Sequence, residues 1–125
     1  MSEGAAAIGS IGWCDLTVPD AGAVREFYES VVGWTSAEHD MGGYADYVMT
    51  RADGTGTSGI CWARGANAGL PAVWLVYFVV PSLDESLAQV RARGGSVLRE
   101  PAAGGAGRYA VIRDPAGAVC ALYQS

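Results

Sequence analysis

The chain is one pattern written twice. Val18-Pro19 recurs as Val80-Pro81, Gly33 as Gly95 and Arg51 as Arg113, all at the same offset, close to half the chain. Self-similarity at this spacing marks a single supersecondary unit built twice, so the fold must contain two equivalent halves. A cleft between two such units is a natural ligand site, and the repeat shows which residues line it.

Each half reads in the same order. Ile8 to Val18 alternates as a strand does, and Pro19-Asp20 stops it. In Ala21 to Val32, Val24, Phe27, Tyr28 and Val31 fall at i, i+3, i+4 and i+7, the spacing of a helical stripe. Asp20 stands where an N-cap belongs, and Gly33 where a helix ends. Three short strands are expected next, at Trp34 to His39, Tyr44 to Thr50 and Ser58 to Ala63, with turns at Gly42-Gly43 and Asp53-Gly54. Residues 64–72, rich in Gly, Ala, Asn and Pro, read as a linker. The second copy then runs through a strand at Val73 to Val80 and a Ser82-capped helix from Leu83 to Arg93. Gly94-Gly95 ends that helix, and strands follow at Val97 to Arg99, Tyr109 to Arg113 and Ala118 to Tyr123. The expected class is α+β: two βαβββ repeats, 8–63 and 73–125, forming a curved eight-stranded mixed sheet of two half-barrels around a cleft. Residues 1–7, small and polar, are expected to be a flexible tail.

Composition narrows the partners. A length of 125 residues suits one domain. The net charge is -5, from 8 basic and 13 acidic residues. Phosphate binding needs a basic face, so nucleic acid is not an expected partner, and a neutral or cationic small molecule suits the chain better. Cys14, Cys61 and Cys120 are odd in number and lack the CxxC spacing of a zinc site. A reducing, cytoplasmic location is the simplest expectation. No apolar run is long enough to span a bilayer, and the first residues lack the basic and apolar regions of a signal peptide, so no membrane association is expected.

Asp20…Phe27-Tyr28…Val32-Gly33-Trp34 in the first half, with Ala92-Arg93-Gly94-Gly95 and Asp114-Pro115-Ala116-Gly117 in the second, resembles the vicinal-oxygen-chelate superfamily. That superfamily holds glyoxalase I, extradiol dioxygenases and bleomycin-resistance proteins. The resemblance runs from Ile8 to Gln124. It implies half-barrels around a cleft and, for many members, a homodimer. In metal-dependent members it also implies four His or Glu ligands on strands facing the cleft. The first such position, counted back from the Phe27-Tyr28 pair, is Trp13. Its mate, counted back from Gly94-Gly95, is Leu75, which the repeat offset also reaches from Trp13. The last, counted on from Asp114, is Ala121, and the remaining one falls near Ile60. Indole and aliphatic side chains offer no donor to a divalent cation. The chain has a single histidine, His39. No metal, no cofactor and no glyoxalase I activity are therefore expected.

Strand alternation sorts what stands there instead, because residues i and i+2 share a face. With Trp13 on the cleft face go Asp15 and Thr17; with Leu75 goes Tyr77; with Ala121 goes Tyr123; with Ile60 goes Trp62. The other face collects Cys14, Leu16, Val18, Cys61, Cys120 and Leu122, which suit packing under the helices. Trp13, Trp62, Tyr77 and Tyr123 either fill a small cavity or form a stacking site for a planar molecule. Asp15 is the sharpest polar residue. A mid-strand carboxylate among aromatics costs free energy unless paired, and burial raises its pKa, as for a general acid or base. It could equally hold a cationic ligand group, or pair with Arg51, Arg64 or Arg113. His39, between Glu38 and Asp40, reads as an exposed loop residue, and Gly104-Gly105-Ala106-Gly107 as a flexible lid.

Two functions follow as expectations. One is metal-independent binding of a hydrophobic or aromatic secondary metabolite or antibiotic, as in drug-sequestering resistance proteins. The other is a cofactor-free isomerase, cyclase or lyase, with Asp15 and Tyr77 as its acid and base.

Overall fold

A computed structural model describes residues 7–125. Eight strands in mixed pairing and two helices run in the order β1 (Ile11–Val18), α1 (Ala21–Val32), β2 (Thr35–Asp40), β3 (Ala45–Thr50), β4 (Gly56–Trp62), β5 (Trp74–Val79), α2 (Leu83–Ala92), β6 (Ser96–Gly104), β7 (Gly107–Arg113) and β8 (Val119–Gln124). This is the expected α+β arrangement, βαβββ in each half. A short 3-10 turn, Gly65–Asn67, interrupts the linker. The expected tail at residues 1–7 lies outside the described residues save for Ala7. The chain divides into two compact units, Cys14–Trp74 and Leu75–Ser125, the latter also taking in the described residues up to Trp13.

In Cys14–Trp74 the strands lie in the order β2-β3-β4-β1. Helix α1 begins where Asp20 Oδ1 accepts the Ala23 amide N–H at 3.0 Å, and ends at Gly33, whose φ of 85° suits a residue without a side chain. Leu16, Val18, Ala21, Met49 and Ile60 form the buried core, joined by Val24, Tyr28, Trp34, Tyr47, Trp62 and Trp74. The α1 stripe is buried only along Val24 and Tyr28. Phe27 and Val31, read as part of it, are 58% and 62% exposed.

In the other unit the order is β5-β8-β7-β6. Ser82 Oγ accepts the Glu85 amide N–H at 3.2 Å, and the Gln124 side chain accepts from Leu83 N–H at 2.7 Å, so the start of α2 is tied to β8. Leu83, Leu87, Ala110, Ile112 and Leu122 are the buried core here, with Val80, Val90, Val97 and Cys120 against it. Asp114 Oδ1 accepts from the amides of Ala116 and Ala118 at 2.8 and 3.0 Å and closes the turn before β8. Strand β6 runs on to Gly104, past its expected end at Arg99. The glycine run is therefore no lid. Gly104 and Gly107 are the last pair of the β6–β7 ladder, and Gly105, at φ 55°, makes the turn. A Cβ on Gly107 would sit 2.0 Å from the Gln124 carbonyl oxygen, so only glycine fits there.

The repeat is written into the hydrogen-bond register. Asp15 pairs with Gly59 and Thr17 with Cys61; at the repeat offset, Tyr77 pairs with Ala121 and Val79 with Tyr123. On the antiparallel neighbour the correspondence moves on by one position: Met49 pairs with Ser58, and Ile112 with Cys120. The ladder of the first half is irregular at the register shift between Met49 and Thr50.

Candidate functional site

Directly opposed residues on paired strands point to one face of a sheet. In the unit of Leu75–Ser125, Ala121 therefore carries Tyr77 and Val111 with it, and Tyr123 carries Val79 and Tyr109. Leu75 joins by alternation. This face is turned away from α2, whose core takes Ala110, Ile112, Cys120 and Leu122. Leu75, Tyr77, Ala121 and Tyr123 are buried, so the alternation argument placed them together correctly. Tyr77 and Tyr109 approach with ring centroids 5.6 Å apart. The Tyr109 ring lies against Gly104, where a Cβ would meet Cδ1 at 2.6 Å. Arg99 joins the same face through its pairing with Val111. Its Nη1 donates to the Tyr109 hydroxyl at 2.6 Å, and its guanidinium carbon lies 5.0 Å from the Tyr109 ring centroid.

Sequence reasoning missed both Tyr109 and Arg99. Tyr109 was within reach, since it lies across the hairpin from Tyr123. Arg99 was not. Alternation puts it on the face of Val97, under α2. The β6 ladder instead slips between Val97 and Arg99 and again between Arg99 and Ala102, and the first slip turns Arg99 over.

In Cys14–Trp74 the face away from α1 holds Asp15, Thr17, Gly59 and Cys61. Here the expected facing of β4 is wrong by one residue. Ile60 and Trp62 pair with Leu16 and Val18, so they face α1. Ile60 is fully buried in that core, and Trp62 covers Gly22 at the start of α1, 3.7 Å from where a Cβ would stand. The counterpart of Ala121 is Gly59, and Cys61 stands on the face assigned to Trp62. Tyr47 faces α1 and Asp46 the other way. Asp46 is buried, accepts the Trp62 amide N–H at 3.0 Å, and bonds the Cys61 side chain. His39, opposite Asp46 in the ladder, is exposed as expected.

Asp15 and Trp13 are half-buried and Thr17 is buried. Of the arginines considered as structural partners for Asp15, Arg51 is bound to Asp53, and Arg64 lies over the Tyr44 ring at 3.9 Å. Burial, then the charges of Asp15 and Asp46, push the Cys61 thiol far above its ordinary pKa. Burial and Asp15 do the same more weakly to Cys14. The positions where metal-dependent relatives would place ligands are Trp13, Leu75, Ala121 and Gly59, and none of these side chains can donate to a cation. Among the described residues no group of three His, Cys, Asp or Glu could hold a metal ion. No described helix is long and apolar enough to cross a membrane.

A groove of about 650 Å³ lies on the α2 side of the second unit, between Pro81, Val90, Arg93, Arg113 and Leu122. It shares no residue with either face described above.

Comparison with known proteins agrees with this geometry. The chain is 35% identical over 121 residues to CFP32 of Mycobacterium tuberculosis (strain CDC 1551 / Oshkosh), provisionally named a glyoxylase, with 94% of this chain and 46% of that one aligned. It is 32% identical over 129 residues to the anthracycline biosynthesis protein DnrV of Streptomyces peucetius, covering 93% of this chain and 47% of that one. The chain thus spans about half the length of these relatives. Among solved structures, hypothetical protein BH1468 of Bacillus halodurans superposes with a TM-score of 0.59 at 14% identity, covering 93% of this chain and 94% of that one. A Streptomyces coelicolor methylmalonyl-CoA epimerase gives 0.55 at 19%, covering 95% and 99%. At such identities these two speak for the fold alone. The family model that matches residues 10–122 is decisive: the chain belongs to the Glyoxalase/Bleomycin resistance protein/Dioxygenase superfamily.

Proposed function

We propose that the protein binds a planar, hydrophobic or aromatic small molecule without a metal ion, holding it as drug-sequestering resistance proteins do. The observation that carries this reading is the gathering of Tyr77, Tyr109 and Tyr123 beside Ala121 on one strand face turned away from α2. Phenol rings offer both stacking surface and hydrogen-bonding edges to such a ligand. Trp13, Asp15 and Thr17 are proposed as further ligand contacts, and Leu75 as apolar lining. A relative named for anthracycline biosynthesis supports a secondary metabolite as the ligand class. The acidic charge speaks against nucleic acid as a partner. We take the protein to be a cytoplasmic homodimer; the exposed Phe27 and Val31 support self-association. Sedimentation showing a monomer at micromolar concentration would end that part of the proposal.

Asp15 supports a second reading, a cofactor-free isomerase, cyclase or lyase. Its carboxylate is half-buried on the same face as Cys61 and Thr17. Native mass spectrometry of freshly purified protein identifies a co-purifying ligand, and product analysis with that ligand separates binding from turnover. Asp15→Asn should then bind but turn over roughly 10²–10⁴-fold more slowly if Asp15 is an acid or base. Lower affinity with a weaker salt dependence marks a counter-ion instead. A variant unchanged in binding and turnover but lower in melting temperature removes Asp15 from the site.

A further inference from the structure

Among the described residues Arg99 is the one guanidinium on the tyrosine face, and the backbone is distorted to put it there. Two register slips bracket it, between Val97 and Arg99 and between Arg99 and Ala102. The equivalent β2–β3 ladder of the first half runs from Thr35 to Asp40 without a slip. Bulges re-aim side chains and recur beside binding sites. Once turned, Arg99 is oriented by its bond to the Tyr109 hydroxyl at 2.6 Å and by the Tyr109 ring beneath it. Tyr109 is in turn set against Gly104 and in ring contact with Tyr77. The acceptor in this pair is a neutral phenol, so the bond serves to aim the fork. Arg99 is only half-buried, which leaves its guanidinium accessible from the face on which the tyrosines stand.

We infer that Arg99, positioned by Tyr109, is a ligand-binding residue that selects planar ligands carrying a negatively charged oxygen group, a carboxylate in the first instance. This rests on the small-molecule reading above and names the ligand class for it. A planar guanidinium matches a carboxylate with two parallel N–H···O bonds, the strongest polar anchor a side chain provides. The neighbouring phenol edges and the small Ala121 suit the aromatic body attached to it. The composition alone pointed to neutral or cationic ligands, because the net charge is -5. A single oriented arginine reverses that preference locally, since recognition at contact distance depends on the group that is met and not on the sum over the surface.

The test uses two probes of one shape, 2-naphthoate and 2-naphthamide, titrated calorimetrically into the full chain. The wild-type protein should bind the acid more tightly than the amide by about 10- to 100-fold. Arg99→Gln should abolish that preference and leave the amide affinity as it was, and Arg99→Lys should restore part of it. Tyr109→Phe removes only the orienting hydroxyl and should lower naphthoate affinity by a smaller factor. Equal wild-type affinities for the two probes overturn the inference while leaving an aromatic site standing. A preference that survives in Arg99→Gln, or an equal loss of both probes in that variant, assigns Arg99 to packing and overturns it too. Binding of neither probe overturns the inference together with the reading beneath it.

Discussion

The units of Cys14–Trp74 and Leu75–Ser125 share a backbone lattice and differ in what stands on it. On the faces turned away from the helices, Asp15, Thr17, Asp46 and Cys61 of the first occupy the places of Tyr77, Val79, Tyr109 and Tyr123 of the second. On the helix faces the change is small: Ile60 answers Leu122, and Met49 answers Ile112. One half thus shows carboxylates and a thiol, the other phenols and a guanidinium. The difference teaches where a duplicated fold is free to diverge. Side chains beneath a helix are fixed by close packing, in which a single methylene is felt. Those on the opposite face answer to chemistry instead.

The sharpest way to break this comparison is to truncate a residue whose facing the two strands dispute. Ile60 is fully buried beneath α1. Ile60→Ala should destabilise the protein by about 2–5 kcal/mol in urea unfolding, from lost burial and the cavity left behind. Its counterpart Leu122→Ala should behave alike. If Ile60→Ala instead kept full stability and lost ligand affinity, the facing of β4 would be reversed and Ile60 would return to the ligand face.

Ile60 also shows how far the sequence could be read. The repeat, both helices and their caps at Asp20, Gly33 and Ser82 were legible, because each rests on local chemistry or on a spacing that survives duplication. Leu75, Tyr77, Ala121 and Tyr123 were legible for the same reason. Ile60 and Trp62 were assigned from a ligand spacing within one half, when the repeat offset already pointed from Ala121 to Gly59. The irregularity near Met49 and the slips around Arg99 were not legible at all. A bulge leaves no mark on composition and breaks the period of two on which strand reading depends. The register of β6 is therefore the part of the site that only three-dimensional structure could supply.

A smaller effect separates Asp46 from Tyr109, which occupy matching places. The Asp46 carboxylate is buried and holds the Trp62 amide as well as the Cys61 thiol. Asp46→Ala leaves that amide without its acceptor and should cost about 1–3 kcal/mol of stability. Tyr109→Phe keeps the ring against Gly104 and gives up one half-exposed bond to Arg99, so it should cost about 1 kcal/mol or less. Thermal melts of both variants order them. Should Tyr109→Phe prove the costlier, the polar network of the second half would be structural first, and the contrast between an acidic scaffold face and a phenolic binding face would fail.

The mildest prediction sets Cys61 against its counterpart Tyr123 through pH. Burial and the nearby charges of Asp15 and Asp46 raise the Cys61 thiol well above its ordinary pKa. Below about pH 8.5 the thiol is protonated in both folded and unfolded chains and stability does not respond to it. Above that, the unfolded thiol loses its proton while the folded one keeps it, so the native state binds more protons and stability falls as pH rises. One such group costs at most about 1.4 kcal/mol per pH unit. Phenols in an unfolded chain ordinarily titrate only near pH 10, above that first unit. Urea unfolding at about pH 8 and about pH 9.5 should therefore show an alkaline loss of about 1 kcal/mol that Cys61→Ala reduces and Tyr123→Phe leaves in place. Thiol alkylation at about pH 8 should spare Cys61 longest of the three cysteines, since only the thiolate reacts. Cys14 and Cys120 are raised less, by burial with Asp15 and Asp114 respectively, and leave a residual slope in Cys61→Ala. An alkaline decline that is unchanged in Cys61→Ala but absent in Tyr123→Phe would place the proton-linked group in the phenolic half and reverse the electrostatic contrast between the two.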